Sequence, residues 1–150
     1  MPDSTKKQIR ELEIDAVSYS KIGHYSKAES TIKKALELKP RSNHLNHELA
    51  KIHLRSKQYA KALEILLTLP NTTKNRKILF KDIGLSYFGM GKLDKALEAS
   101  NVSLSEKQDY VEALTLKGKS LRELERYDEA LVVLDTVSYT HLTLPTTPYV

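Results

Sequence analysis

Apolar residues recur at helical spacing along the chain, in paired stripes separated by short polar turns. The first stripe consists of Leu12, Ala16, Tyr19 and Ile22. Steps of three and four residues place these side chains on one side of a helix. Gly23 follows and predicts a C-terminal cap. A second stripe runs over residues 25–36 and Pro40 predicts its end. The pattern therefore indicates two consecutive amphipathic helices joined by a tight turn.

The same pattern returns every 34 residues. A large residue is followed three places later by alanine in Tyr25 and Ala28, Tyr59 and Ala62, Leu93 and Ala96, and Tyr127 and Ala130. Twelve places before each alanine stand the small residues Ala16, Ala50, Gly84 and Gly118. Small residues at fixed phase predict close crossings between paired helices. One pair of this size cannot bury its apolar stripes alone, so the copies are expected to stack.

Period and motif together resemble the tetratricopeptide repeat (TPR) family. The resemblance covers residues 9–136, after a lead-in of residues 1–8. The repeats are placed at 9–42, 43–76, 77–110 and 111–136, the last being incomplete. The resemblance implies an all-α fold, which is a right-handed superhelical solenoid of antiparallel helix pairs. Turns are expected near Gly23, Lys57, Gly91 and Glu125.

Two departures from the family pattern bear on local packing. The tryptophan usual near the start of each repeat is replaced by Leu12, Asn46, Phe80 and Leu114. Pro70 arrives early in the second repeat and predicts a shortened second helix there. Neither departure changes the expected fold.

The composition changes abruptly at Val137. All 43 Lys, Arg, Asp and Glu residues lie in residues 1–136. Residues 137–147 resemble a translated transposon-end sequencing adapter; the alternative is a natural Thr/Pro-rich tail. We expect residues 137–150 to be non-native, the native protein to continue beyond Asp135, and the chain to be a fragment. Because it contains Pro145 and Pro148, the segment 140–150 is expected to be irregular.

Composition limits the compartment and the class of protein. A chain of 150 residues can bury one sizeable core. Cysteine is absent, which excludes disulfides and thiolate metal sites and fits a reducing, cytoplasmic compartment. The first residues lack the apolar run of a signal peptide. No stretch approaches the roughly 18 apolar residues of a membrane span.

The net charge of +5 is concentrated in the first half, where residues 1–75 carry 14 Lys and Arg against 8 Asp and Glu. Such a surface would steer acidic partners towards it. The alternative is a lysine-rich surface that is merely solvated. Nucleic acid is disfavoured, since dense Arg/Lys clusters interleaved with aromatic residues are missing.

Candidate chemistry is sparse. His44, His47 and Glu48, with His53 further on, do not supply a metal site from one helix at those spacings, so we expect surface histidines and no metal or cofactor. Phosphate loops, nucleophile elbows and His-x-x-x-His pairs are absent from the sequence. We therefore expect no enzymatic activity in these residues.

The resemblance implies that the first helix of each repeat lines a concave partner-binding groove. Its basic members would be Arg10, Lys21, His44, His47, Lys51, Arg55, Lys81, Lys119 and Arg122. Its apolar members would be Val17, Leu54, Ile78, Leu85 and Phe88. Basic side chains next to apolar side chains predict the kind of partner. It would be an extended peptide that carries Asp or Glu and a few hydrophobic residues.

A more specific binding mode is excluded. Some TPR domains hold the C-terminal carboxylate of chaperones with a Lys/Asn clamp, and Glu13, Val17 and Glu48 stand at the matching places. The function expected is therefore a protein–protein interaction scaffold of unspecified partner and oligomeric state. The alternative, by analogy alone, is the N-terminal accessory region of a larger enzyme such as a sulfotransferase or glycosyltransferase.

Overall fold

The computed structural model describes the backbone of residues 1–142, and these residues form eight helices without a strand. The helices are α1 (Asp3–Lys21), α2 (Tyr25–Leu38), α3 (Asn43–Arg55), α4 (Tyr59–Leu66), α5 (Arg76–Gly89), α6 (Leu93–Glu106), α7 (Val111–Glu123) and α8 (Tyr127–Leu142). The predicted all-α class is confirmed. The chain divides into two compact units, Met1–Pro70 and a second that begins at Asn71; each is described by itself.

The N-terminal unit contains α1 to α4, each packed against the next, with α1 also contacting α3. Its core is formed by Ala16, Ala28, Ile32, Ala35, Leu45, Leu49 and Ile52, all buried. The two predicted small residues at the α1–α2 crossing, Ala16 and Ala28, are completely inaccessible to solvent. Leu12 and Tyr19 of the first predicted stripe are partly buried and pack against this core. The prediction that Ile22 belongs to the stripe is wrong, because Ile22 follows the last residue of α1 and is 66% exposed.

Two residues after the last residue of each of α1, α3, α5 and α7 stands a residue with left-handed backbone. These residues are Gly23 (φ 85°), Lys57 (φ 63°), Gly91 (φ 78°) and Glu125 (φ 63°). At the first turn the amide of His24 donates to the carbonyl of Tyr19 over 2.9 Å, and the amide of Gly23 donates to Ser20. The same pair of hydrogen bonds closes the other three turns. This is the Schellman arrangement, which favours glycine because a Cβ is strained there.

Helix α4 is short, as Pro70 predicts. It spans 8 residues, against 14 in the corresponding helices α2 and α6. Tight turns follow its last residue, and the amide of Leu69 donates to the carbonyl of Leu66. The side chain of Leu69 is still buried, so the apolar stripe continues past the end of the helix.

Asn46, which replaces the family's usual tryptophan, has a structural role of its own. Its side-chain amide donates to the carbonyl of Ser42 over 2.9 Å and to that of Pro40 over 3.3 Å. The hydroxyl of Ser42 in turn accepts from the amide of Leu45 as the cap of α3. Asn46 therefore stabilises the turn between α2 and α3 by hydrogen bonds, where a tryptophan would do so by aromatic packing.

The C-terminal unit contains α5 to α8 and has glycines at its closest helix contacts. A Cβ on Gly84 would lie 2.6 Å from Leu116 Cδ2 and 3.3 Å from Ala99 Cβ. A Cβ on Gly118 would lie 2.5 Å from Leu134 Cδ2. The distances of 2.6 and 2.5 Å are shorter than real carbon–carbon contacts, so the leucine side chains occupy the space that the two glycines leave.

Two serines replace apolar residues in the core of the third repeat without leaving polar groups unsatisfied. Ser100 and Ser103 are fully buried. The hydroxyl of Ser100 donates to the carbonyl of Leu97, and that of Ser103 reaches the carbonyl of Lys77 in α5, each over 2.7 Å. Satisfied hydroxyls avoid the penalty of a buried, unpaired donor.

The expected irregularity of residues 140–150 is wrong for residues 140–142, which belong to α8. The physical reason is that proline disfavours helix at its own position and the one before it. Pro145 therefore does not prevent the residues up to Leu142 from being helical. Residues 143–150 lie outside the described part of the chain. That residues 137–150 are non-native stays a prediction.

His53 is a buried titratable group of the N-terminal unit. Its Nδ1 lies 3.0 Å from Oε1 of Gln58 and 3.8 Å from Oε1 of Glu29. Burial lowers the pKa of His53, and the nearby charge of Glu29 partly opposes that shift. The hydrogen bond from Lys33 lowers the pKa of Glu29. The neutral imidazole is therefore the form that the core favours.

Replacing Gly84 by valine should destabilise the C-terminal unit by roughly 1–3 kcal/mol, because the added methyl groups collide with buried Leu116 and Ala99. Urea unfolding followed by circular dichroism measures the change. Gly89→Val is the matched control, since Gly89 is exposed in the same helix. Equal unfolding midpoints for the two variants would contradict a close crossing at Gly84.

Acidification should destabilise the N-terminal unit through His53. Because the pKa of His53 is lower in the folded chain than in the unfolded one, the unfolded chain binds the extra proton. Stability is therefore fully present above the unfolded pKa of about 6.5 and declines as the pH falls through that value. Urea midpoints at about pH 7.5 and about pH 5.5 should differ less in His53→Gln than in the parent chain. The exposed His24→Gln is the control, and an undiminished pH dependence in His53→Gln would contradict the assignment.

Candidate partner-binding faces

In the N-terminal unit, α1 and α3 lie side by side and present one common surface, which we call the α1–α3 face. At one end, Nε2 of His44 lies 2.5 Å from Oε2 of Glu13. At the other end, Nη1 of Arg55 donates to Oγ of Ser20 over 3.0 Å. The predicted groove residues of the first two repeats belong to these two helices. They are Arg10, Val17, Lys21, His44, His47, Lys51, Leu54 and Arg55.

The α1–α3 face is less basic than its lysines and arginines suggest. Nζ of Lys51 donates to Oε1 of Glu48 over 3.0 Å, and Glu48 is buried. The carboxylate of Glu13 pairs with the imidazole of His44, at the end of the face where α3 begins. The exposed cations of the face are Arg10, Lys21 and Arg55.

The same two helices also carry apolar side chains. Val17 in α1 and Leu54 in α3 are each half-buried. A cavity of about 440 Å³ lies near the start of the two helices. Its lining includes the apolar Ile9 and Leu45, the acidic Glu13, and the basic Lys6, Arg10, Lys39 and His44.

In the C-terminal unit, the predicted groove residues lie on α5 and α7. Ile78 is exposed, and Leu85 and Phe88 are half-buried, so α5 offers mainly apolar surface. Lys119 and Arg122 are exposed on α7, and Nε of Arg122 lies 3.9 Å from Oε1 of Glu123.

Lys81, the remaining groove residue of α5, is held by a buried carboxylate. Its Nζ lies 2.8 Å from Oδ1 of Asp82, which is 1% exposed. Asp82 also acts on Tyr110, whose pKa is raised first by burial, then by the charge and hydrogen bond of Glu112, and least by Asp82. A negative charge therefore lies beneath the ammonium group of Lys81.

Glu48 and Asp82 occupy the same place in consecutive repeats, 34 residues apart. Each is buried, and each is paired with a lysine of its own helix. Sequence reasoning missed both because acidic residues are expected at the surface. The available signal was their common phase in the repeat, next to positions that form the core.

Sequence reasoning also missed the surroundings of Glu13. Carboxylate oxygens of Glu13 and Glu48 and a ring nitrogen of His44 all lie within 4.8 Å of one another. The sequence prediction of no metal site rests on the residues of α3, whereas Glu13 comes from α1, 31 residues before His44. Glu13 is therefore not among the candidate ligands on which the prediction of no metal site rests. His53 is buried against Gln58 and does not belong to the cluster.

Comparisons with known proteins agree with the repeat pattern. The family described as "Tetratricopeptide repeat" matches residues 22–81. The human Tetratricopeptide repeat protein 13 is 29% identical over 103 residues, which cover 69% of this chain and 12% of that protein. The chain thus spans a small part of that relative's length.

Solved structures support the fold. The structure "MamA 41-end from Desulfovibrio magneticus RS-1" superposes with a TM-score of 0.79 at 19% identity, over 92% of this chain and 78% of that one. A second, "Crystal structure of MamA protein", gives 0.73 at 21% identity, over 97% and 82%. At these identities the likeness concerns the fold alone. Among the described residues, no helix has the length and apolar character needed to cross a bilayer.

Proposed function

We propose that this tetratricopeptide-repeat chain is a protein-interaction scaffold that binds an extended, acidic segment of a partner protein on its α1–α3 face. One observation carries the proposal. The exposed cations Arg10 and Lys21 lie on α1 with half-buried Val17, and exposed Arg55 lies on α3 with half-buried Leu54. This arrangement fits a segment with Asp or Glu beside one or two hydrophobic residues.

The two kinds of surface contribute differently to binding. Exposed cations accelerate encounter with an acidic segment and select against basic ones, but each exposed ion pair adds little free energy. Burial of the partner's hydrophobic side chains over Val17 and Leu54 would supply most of the affinity.

The ion pairs decide which cations can be tested. Glutamate at position 51 or 81 would face the buried carboxylates of Glu48 or Asp82 and would disturb the fold. Lys21 and Arg55 are exposed and occupy the same place in consecutive repeats. Their reversal tests the face without adding a charge next to a buried carboxylate.

The double variant Lys21→Glu, Arg55→Glu should bind a selected acidic peptide about tenfold more weakly than the parent chain, equivalent to about 1.4 kcal/mol. Fluorescence anisotropy of peptides selected from an acidic, aliphatic-rich library measures the affinity. Parent affinity should also fall between about 0.05 M and about 0.3 M NaCl, because salt screens exposed charges.

The matched control is Lys34→Glu, Lys61→Glu, which makes the same change in net charge on the exposed surface of α2 and α4. It should retain nearly the parent affinity. Equal losses in both double variants would assign the effect to net charge. Unchanged binding in Lys21→Glu, Arg55→Glu would contradict the α1–α3 face as the binding surface.

The accessory region of a larger sulfotransferase or glycosyltransferase stays a hypothesis, because the described residues carry no feature that bears on it. The partner and the activity of any longer protein are likewise matters for experiment. A cytoplasmic location also stays a proposal, supported by the absence of cysteine from the sequence.

A further inference from the structure

The α1–α3 face brings together three metal-ligating side chains from two helices. Glu13 comes from α1, and His44 and Glu48 come from α3. His44 and Glu48 are four residues apart, so they lie one helical turn apart on the same side of α3. Ligand atoms of all three lie within 4.8 Å of one another. That separation is small enough for one ion to contact all three after minor side-chain movement.

We propose that Glu13, His44 and Glu48 bind a divalent transition-metal ion of the Zn²⁺ class. One imidazole nitrogen and two carboxylate oxygens are ligands that Zn²⁺ accepts, and three protein ligands leave a fourth position for water. Two carboxylates also neutralise the charge of a divalent ion. An imidazole ligand and so few oxygens disfavour Ca²⁺ and Mg²⁺, which take six or more oxygen ligands.

The present geometry is that of a hydrogen bond which the ion would replace. Nε2 of His44 and Oε2 of Glu13 are 2.5 Å apart. Two ligands bound to one tetrahedral Zn²⁺ at about 2.0–2.1 Å stand about 3.3 Å apart. His44 and Glu13 must therefore separate by about 1 Å. The side chain of His44 is 65% exposed, so its rotation is not opposed by packing.

Glu48 supplies the fixed part of the site, and Lys51 competes for it. Glu48 is buried and therefore confined. Its Oε1 accepts a hydrogen bond from Nζ of Lys51 over 3.0 Å. The ammonium group occupies one carboxylate oxygen and places a positive charge beside the ion. Removal of that charge should strengthen metal binding. The proposed metal site does not depend on the proposed peptide-binding function.

Calorimetric titration of the full chain with Zn²⁺ should show one equivalent bound at the site. Thermal unfolding should shift upward with Zn²⁺ concentration, because an ion that binds only the folded chain stabilises it. His44→Gln and Glu13→Gln should each weaken binding by about tenfold or more, equivalent to about 1.4 kcal/mol. His24→Gln is the control, since His24 is exposed in the turn after α1, and it should bind like the parent.

The variant Lys51→Met distinguishes the three-ligand site from a simple His44–Glu13 pair. It should bind Zn²⁺ at least about threefold more tightly, because the competing ammonium is gone. Circular dichroism establishes that each variant keeps its helices. Absence of binding at about 1 mM Zn²⁺, equal affinity in parent and His44→Gln, or no gain in Lys51→Met would overturn the site as proposed.

Discussion

Close contact between paired helices at small residues is the constraint on which the rest of each unit depends. Ala16 and Ala28 are completely buried where α1 and α2 pack. In the C-terminal unit, Leu116 and Leu134 fill the space that Gly84 and Gly118 leave open. Because helices packed this closely bury their large side chains on both sides of the contact, the remaining edge of each first helix faces solvent. Those edges carry the candidate binding residues.

The fold could be predicted from the sequence because its determinants are local and repeated. A small residue, a large residue and a turn at fixed phase specify helix boundaries without knowledge of distant contacts. The turn at Gly23 follows from its own residue type, whereas left-handed Lys57 carries no such signal. Its position is fixed by the 34-residue period and by the hydrogen bond from Gln58 to the carbonyl of His53.

The site could be predicted only in outline, because its chemistry depends on side chains from separate helices. The period places His44 and Arg55 on a first helix, but it does not show that Glu13 and Ser20 face them. Burial of Glu48 and Asp82 is also a property of packing, and their pairing with Lys51 and Lys81 lowers the positive charge of the surface. A count of basic residues therefore overstates the positive charge that this surface presents.

The four left-handed turns do not hold their helix pairs together equally well. Glycine adopts the conformation freely, whereas a residue with a Cβ is strained in it by about 1 kcal/mol. Lys57 and Glu125 bear that strain, and Gly23 and Gly91 do not. Brief opening of the chain should therefore be most frequent at the second and fourth turns. Amide hydrogens of Gln58 and Arg126 would then exchange with solvent faster than those of His24 and Lys92. Neighbouring repeats with the same turn geometry, such as the first and the second, would thus differ in how often their two helices separate.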